Sequence, residues 1–153
     1  VYAFFRLERV SGGGLPTARV LSVDRIAKPD TLPVFGTSID AHRIRRVRML
    51  DREPAALEEI WLDAGYVASI APDDLSESLY LFYKRALGLR ISRIEDQIGV
   101  SALPDWGSED FGLTAGAPCG WIERVSWDQD GARAEVSQTW FDNNKVRYIN
   151  RLG

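Results

Sequence analysis

The chain has 153 residues, 45% hydrophobic and 27% charged, which is ordinary for one soluble globular domain with room for a core. Its 19 Lys and Arg against 22 Asp and Glu give a net charge of −3, which argues against nucleic-acid binding by this chain, because such proteins carry a basic surplus. A single cysteine, Cys119, excludes an internal disulfide and a cysteine-based metal site, and no apolar run approaches the ~18 residues of a membrane helix.

In chain order, Tyr2–Arg9 is aromatic enough for a strand. Ser11-Gly12-Gly13-Gly14-Leu15-Pro16 is a loop; no Lys-Ser/Thr follows it, so it reads as a connection rather than a phosphate cradle. Ala18–Ile26 alternates as a second strand. His42–Leu50 and Ala55–Leu62 form a hairpin through Asp51-Arg52-Glu53-Pro54. Pro72 breaks the chain before a helix, for which Asp74 and Glu77 offer a capping box. Leu75, Leu79, Phe82, Tyr83, Ala86 and Leu87 share one helical face, and Gly88 suits the position after the helix end. Leu89–Ala102 is a long strand and Pro104–Leu113 a short helix. Trp121–Trp127 and Ala134–Phe141 make a second hairpin through Asp128–Gly131, and Val146–Asn150 a last strand. Many antiparallel strands with few helices imply an α+β fold with helices packed on the sheet. Val1 already lies in strand-like sequence with no signal-peptide pattern, so the chain reads as a fragment without its N-terminal part.

Strand residues two apart share a face, so Arg46 and Arg48 project together. Two parallel guanidinium groups near a helix start that carries Ser78 and Tyr80 suit a small anion. The bland alternative is the wet face of an antiparallel sheet, where arginines also belong. Glu58, on the partner strand, joins the arginine face only if the connecting loop is odd in length, and sequence does not give the register. Asp73, Asp74 and Glu77 crowd the helix start and would oppose an anion. The lone His42 reads as a surface or strand-end residue, and no triad or histidine metal site can be built around it. Cys119 reads as a small core residue and Asp128–Gly131 as a hairpin turn rather than a calcium loop. Trp61, Trp106, Trp121, Trp127 and Trp140 read as core, with Trp61 and Trp140 also available to a pocket wall.

One ordered series of short motifs goes further. It runs Arg46-Val47-Arg48, Asp51-Arg52-Glu53-Pro54, Leu57-Glu58, Trp61-Leu62, Asp74-Leu75, Ser78-Leu79-Tyr80, Gly88-Leu89, Gly116-Ala117-Pro118, then Glu135 with Ser137. From about Ala18 to Tyr148 this resembles the UTRA effector-binding domain of HutC/FarR-type GntR transcription regulators. The resemblance implies a chorismate-lyase-like fold, and a winged helix-turn-helix DNA-binding domain N-terminal to this chain. It implies a cytoplasmic, dimeric regulator, not an enzyme, whose operator binding responds to a small anionic metabolite, phosphate or carboxylate, without cofactor or metal. By position, Arg46 and Arg48 would hold the anion with Ser78 and Tyr80, while Glu58 and Glu135 would accept hydrogen bonds from the polar body. Phe141 stands where a ligand-binding tyrosine is usual, which removes one hydroxyl contact, and Phe4-Phe5-Arg6-Leu7 could close over the ligand. The alternative from another class is a small-molecule lyase sharing the fold.

Overall fold

The computed structural model describes residues 4–75 and 78–153. Tyr2 and Ala3 of the expected first strand, and Glu77 of the expected capping box, lie outside these residues. Among the described residues there are eight strands: β1 (Leu7–Arg9), β2 (Pro16–Ala27), β3 (Asp40–Leu50), β4 (Glu53–Asp63), β5 (Arg93–Ala102), β6 (Pro118–Trp127), β7 (Arg133–Phe141) and β8 (Val146–Tyr148). Six form one antiparallel sheet in the order β2-β3-β4-β7-β6-β5, and β1 pairs with β8 in a small second sheet. The α+β class expected from the alternating patterns is therefore the observed one.

The hairpin joining β3 and β4 is tighter than the four-residue loop expected. Only Asp51 and Arg52 form the turn, with φ of 50° and 69°, the left-handed pair of a type I′ hairpin. The Asp51 carboxylate accepts from Leu15 N at 2.8 Å and from the Arg9 guanidinium at 3.0 Å, which holds the turn. Leu50 faces Glu53 and Met49 faces Pro54, but Arg48 faces Ala56, so Ala55 is an extra, bulged residue. A two-residue loop alone would put Leu57 opposite Arg46. The bulge shifts the register by one and puts Glu58 there instead.

Period-two alternation then sorts the sheet into two faces. One face packs Val47, Leu57 and Trp140 against Leu103, Phe111 and Cys119. Further along it, Trp61 packs with Phe35, Ala41, Val125 and Val136. Helix α2 (Ser108–Phe111), at the centre of the expected Pro104–Leu113 helix, supplies Phe111. The other face is covered at two ends. At one end Ile44, Ile60 and Leu62 meet Leu79, Tyr83 and Leu89. At the other, β1 and β8 bring Leu7 and Val146 onto Leu50, Ala56, Ile122 and Phe141. A gap remains between the two covers.

The helical cover differs from expectation. Pro72–Asp74 is a separate 3-10 turn, in which the Asp74 carboxylate accepts from Ala71 N at 3.1 Å. Helix α1 is only Leu79–Phe82, and Tyr83–Leu87 continues it as a π turn ending at Gly88, φ 64°. Its N-cap is Ser78, whose Oγ accepts from Leu81 N at 3.3 Å. Of the expected apolar face, Leu79 and Tyr83 are the fully buried members.

His42 is a correction too: it is buried, with Nε2 2.7 Å from Val67 O. At the β6–β7 crossing the Phe141 ring lies over Gly120, and a Cβ built there would overlap the ring. Gly120→Ala is therefore expected to destabilise the fold by about 1–3 kcal/mol, the usual cost of overpacking. Adding Phe141→Leu to Gly120→Ala should return part of that loss. An unchanged urea midpoint in Gly120→Ala would show that the ring can move aside freely.

Candidate functional site

The gap encloses about 100 Å³. At roughly 10–15 Å³ per water-sized site, it holds a ligand of roughly seven to ten non-hydrogen atoms as it stands. Its floor is the sheet, read across in rows. In one row Arg46, Glu58, Thr139 and Ile122 stand side by side; in the next, Ile44, Ile60, Ser137, Arg124 and Asp96; in the third, His42, Leu62, Glu135 and Ser126. Ser78, Leu79 and Tyr80 at the start of α1 form one wall, and Phe4, Phe5, Arg6 and Leu7 the other.

The arginine end is built around one carboxylate. Arg46 Nε donates to Glu58 Oε1 at 2.7 Å, and Arg48 Nε lies 3.4 Å from the same oxygen. Both arginines are only 5% exposed, so the wet-face reading of this strand does not describe them. Burial alone would raise the Glu58 carboxyl, but the charges of Arg46 and Arg48 outweigh it and hold it below the usual range. The Phe5 ring lies 5.0 Å from the Arg48 guanidinium and closes this end.

The opposite end is built around Glu135, which is buried. Tyr83 donates its hydroxyl to Glu135 Oε2 at 2.5 Å, Ser126 to Oε1 at 3.2 Å and Tyr80 to Oε1 at 3.4 Å. Tyr80 and Ser126 share a further hydrogen bond of 2.8 Å. Burial raises the Glu135 carboxyl above the usual range, and the hydroxyls and the more distant Arg124 and Arg46 offset this only in part. The Tyr80 and Tyr83 phenols are pushed up by burial first and then by the Glu135 charge. They act as donors, not as bases.

Six of the seven residues singled out from sequence meet in this cavity: Arg46, Arg48, Glu58, Ser78, Tyr80 and Glu135. Phe141 does not line it; the ring sits in the core beneath β1 and β8. Trp61 and Trp140 are core residues, as expected, but the option of a pocket wall is corrected, since their register puts them on the far face of the sheet. The acidic crowding expected at the helix start is corrected in part. Asp73 and Asp74 belong to the separate turn, and Glu77 lies outside the described residues. A helix of one turn also adds little dipole for an anion.

Sequence reasoning missed Arg124, Ser126, Thr139 and Tyr83. Once Glu135 is placed, alternation along β7 puts Ser137 and Thr139 beside it, and the register of β6 does the same for Ser126 and Arg124. Tyr83 was counted as core, which its ring is, while its hydroxyl reaches Glu135. Among the described residues no cluster of three or more His, Cys, Asp or Glu is arranged to hold a metal ion.

Comparison with known proteins agrees with this fold. The family model of the UTRA domain matches residues 11–147. The chain is 55% identical over 152 residues to the HTH-type transcriptional regulator SmoD of Agrobacterium fabrum, covering 99% of this chain and 65% of that protein. It is 24% identical to the HTH-type transcriptional repressor NagR of Bacillus subtilis, covering 97% of this chain and 63% of that one. The chain thus spans a little under two thirds of the length of these relatives. In fold it matches a Bordetella bronchiseptica domain described as the ligand-binding domain of a GntR-family transcriptional regulator. There the TM-score is 0.84 at 19% identity, with 99% of each chain covered. The effector domain of PhnF from Mycobacterium smegmatis follows at TM-score 0.72 and 22% identity, covering 91% of this chain and 88% of that one. These relatives are regulators rather than enzymes, which sets aside the lyase alternative.

Proposed function

Because this chain belongs to the UTRA domain family, we propose that it is the sensor of a HutC-type regulator and binds a small organic anion, phosphate or carboxylate. One observation carries the reading. Arg46 and Arg48 lie side by side, buried, in the cavity, both against Glu58. A planar guanidinium can meet phosphate or carboxylate oxygens with two parallel hydrogen bonds, and two of them together favour an anionic head. Ser78 lines the same cavity, and Tyr80 and Glu135 meet at its other end, where Glu135 can accept from a hydroxylated body.

In this reading the bound anion alters operator binding by a winged helix-turn-helix carried elsewhere in a longer protein, which works as a homodimer in the cytoplasm. The relative NagR is named a repressor, which supports a repressor here. The length of the relatives beyond this chain leaves room for such a domain. Among the described residues no helix is long and apolar enough to cross a membrane.

A thermal-shift series tests the ligand class. Organic phosphates and carboxylates, but not neutral polyols of the same size, are expected to raise the melting temperature. At one hundred times Kd the gain corresponds to about 2.7 kcal/mol. A shift produced by neutral compounds alone would sink the anion reading.

A further inference from the structure

We propose that Arg124 is a third ligand-binding cation of this cavity, across from Arg46 and Arg48, and that it receives a neutral oxygen of the ligand, a hydroxyl or a carbonyl. This rests on the anion-sensing reading above and deepens it. Arg124 stands on β6 and Arg46 on β3, with β4 and β7 between them, so their strands lie about 14 Å apart at ordinary strand spacing. Both side chains line the cavity.

Arg124 is held in one orientation. Its Nε and one terminal nitrogen donate to Asp96 at 2.6 and 2.9 Å, and Asp96 also accepts from the Tyr148 hydroxyl at 2.6 Å. The same terminal nitrogen donates to Phe4 O at 2.8 Å, in the segment that walls the cavity. A fork fixed in this way loses little freedom when a ligand arrives. Its charge is felt by Glu58, Tyr80 and Glu135, which places it electrically inside the site.

The pairing with Asp96 decides the kind of group received. Asp96 cancels the charge of Arg124, and the terminal nitrogen that does not meet Asp96 still carries N–H groups, beside the Tyr80 hydroxyl. A second anion would gain no net charge there and would approach the Asp96 carboxylate. A hydroxyl or carbonyl oxygen accepts the hydrogen bond without that repulsion. Between the two stations lie Ile60 on β4 and Ser137 and Thr139 on β7. The ligand is then an anionic head, a short body over these residues and a neutral oxygen at the far end.

Calorimetry on this chain with inorganic phosphate and glycerol 3-phosphate tests the assignment. The wild type is expected to prefer glycerol 3-phosphate at least tenfold. Arg124→Met should reduce that preference to under threefold and leave phosphate affinity unchanged. Asp96→Asn should lower the melting temperature and, by uncovering the charge of Arg124, raise phosphate affinity and narrow the preference, which a purely structural ion pair would not do. If Arg124→Met fails to fold, Arg124→Lys replaces it; one ammonium cannot serve Asp96 and ligand together, so the preference should fall at least threefold. No preference in the wild type, or an undiminished one in the folded Arg124 variant, overturns the proposal while leaving the anion reading intact. If neither phosphate compound binds the wild type, the anion reading falls and takes this proposal with it.

Discussion

Arg46→Ala is expected to cost the fold about 3–5 kcal/mol, whereas Arg48→Ala should cost mainly ligand affinity, at least tenfold. The two arginines look equivalent in sequence and are not equivalent in place. Arg46 makes the short bond to Glu58, 2.7 Å, and Arg48 the long one, 3.4 Å. Removing Arg46 takes the short partner from the buried Glu58 carboxylate and leaves it the longer contact to Arg48, and breaking a buried ion pair is the costly outcome. Removing Arg48 keeps the short pair and withdraws one guanidinium from the anion. A charge-assisted hydrogen bond of roughly 2 kcal/mol exceeds the 1.4 kcal/mol that makes a decade in affinity. Arg46→Ala combined with Glu58→Gln should recover a large part of the lost stability, because the stranded charge is gone. Urea denaturation and calorimetry on the three variants separate stability from binding. Equal losses of stability in the two single variants would remove the distinction between the arginines.

The same pair shows how far sequence alone reaches. Alternation along His42–Leu50 was enough to put Arg46 and Arg48 on one face. It could not put Glu58 there, because that needed an odd count between the strands. The odd residue is Ala55, a bulge that follows a two-residue turn. A bulge leaves no residue type as its mark, so a neutral alanine carries the information that decides the site. The helix shows a different kind of gap. Its buried face was legible at Leu79 and Tyr83, but its start was not. Asp73, Asp74 and Ser78 are all good N-cap residues, and local chemistry does not choose among them. Tertiary packing chooses Ser78, and Pro72–Asp74 closes its own turn instead.

Arg124 and His42 were hidden for one shared reason. Each is polar within an alternating strand, and the habit is to assign such a residue to solvent. Whether the polar face of a strand is wet depends on what covers it, and the cover comes from far away in sequence. Phe4 meets Arg124 across 120 residues, and Val67 meets His42 across 25. Phe141 is the reverse case. Its position in the motif series pointed toward the ligand, but without a hydroxyl it has a ring to bury, and the space over glycine at Gly120 takes it.

The other large effect is expected from Glu135→Gln, and it should depend on pH. Burial sets the folded Glu135 carboxyl above its ordinary value of 4.5, so the folded chain holds that proton more tightly than the unfolded chain does. As pH rises from the ordinary value through the raised one, the unfolded chain gives up its proton first, and stability falls across that window. Glu58 runs the other way. Its folded value lies below the ordinary one, so its contribution is present above the ordinary value and is lost as pH drops through the folded one. Glutamine at 135 cannot ionise, yet its carbonyl can still accept from Tyr83 and its amide can donate to Ser126 or Tyr80. The variant should therefore match the wild type near pH 4 and become progressively the more stable of the two as pH rises, by about 1.4 kcal/mol per pH unit within the window. Above the raised value the difference should stay constant. The acid loss from Glu58 should appear equally in both proteins. In binding, the same substitution turns part of an acceptor into a donor while leaving Arg46 and Arg48 in place. It should change which hydroxylated body is preferred more than it changes affinity for a bare anion such as phosphate. Urea midpoints of both proteins from pH 4 to 8, with phosphate titrations at one pH, read both effects. A stability difference that does not vary with pH would mean that Glu135 titrates in the fold as it does in the unfolded chain.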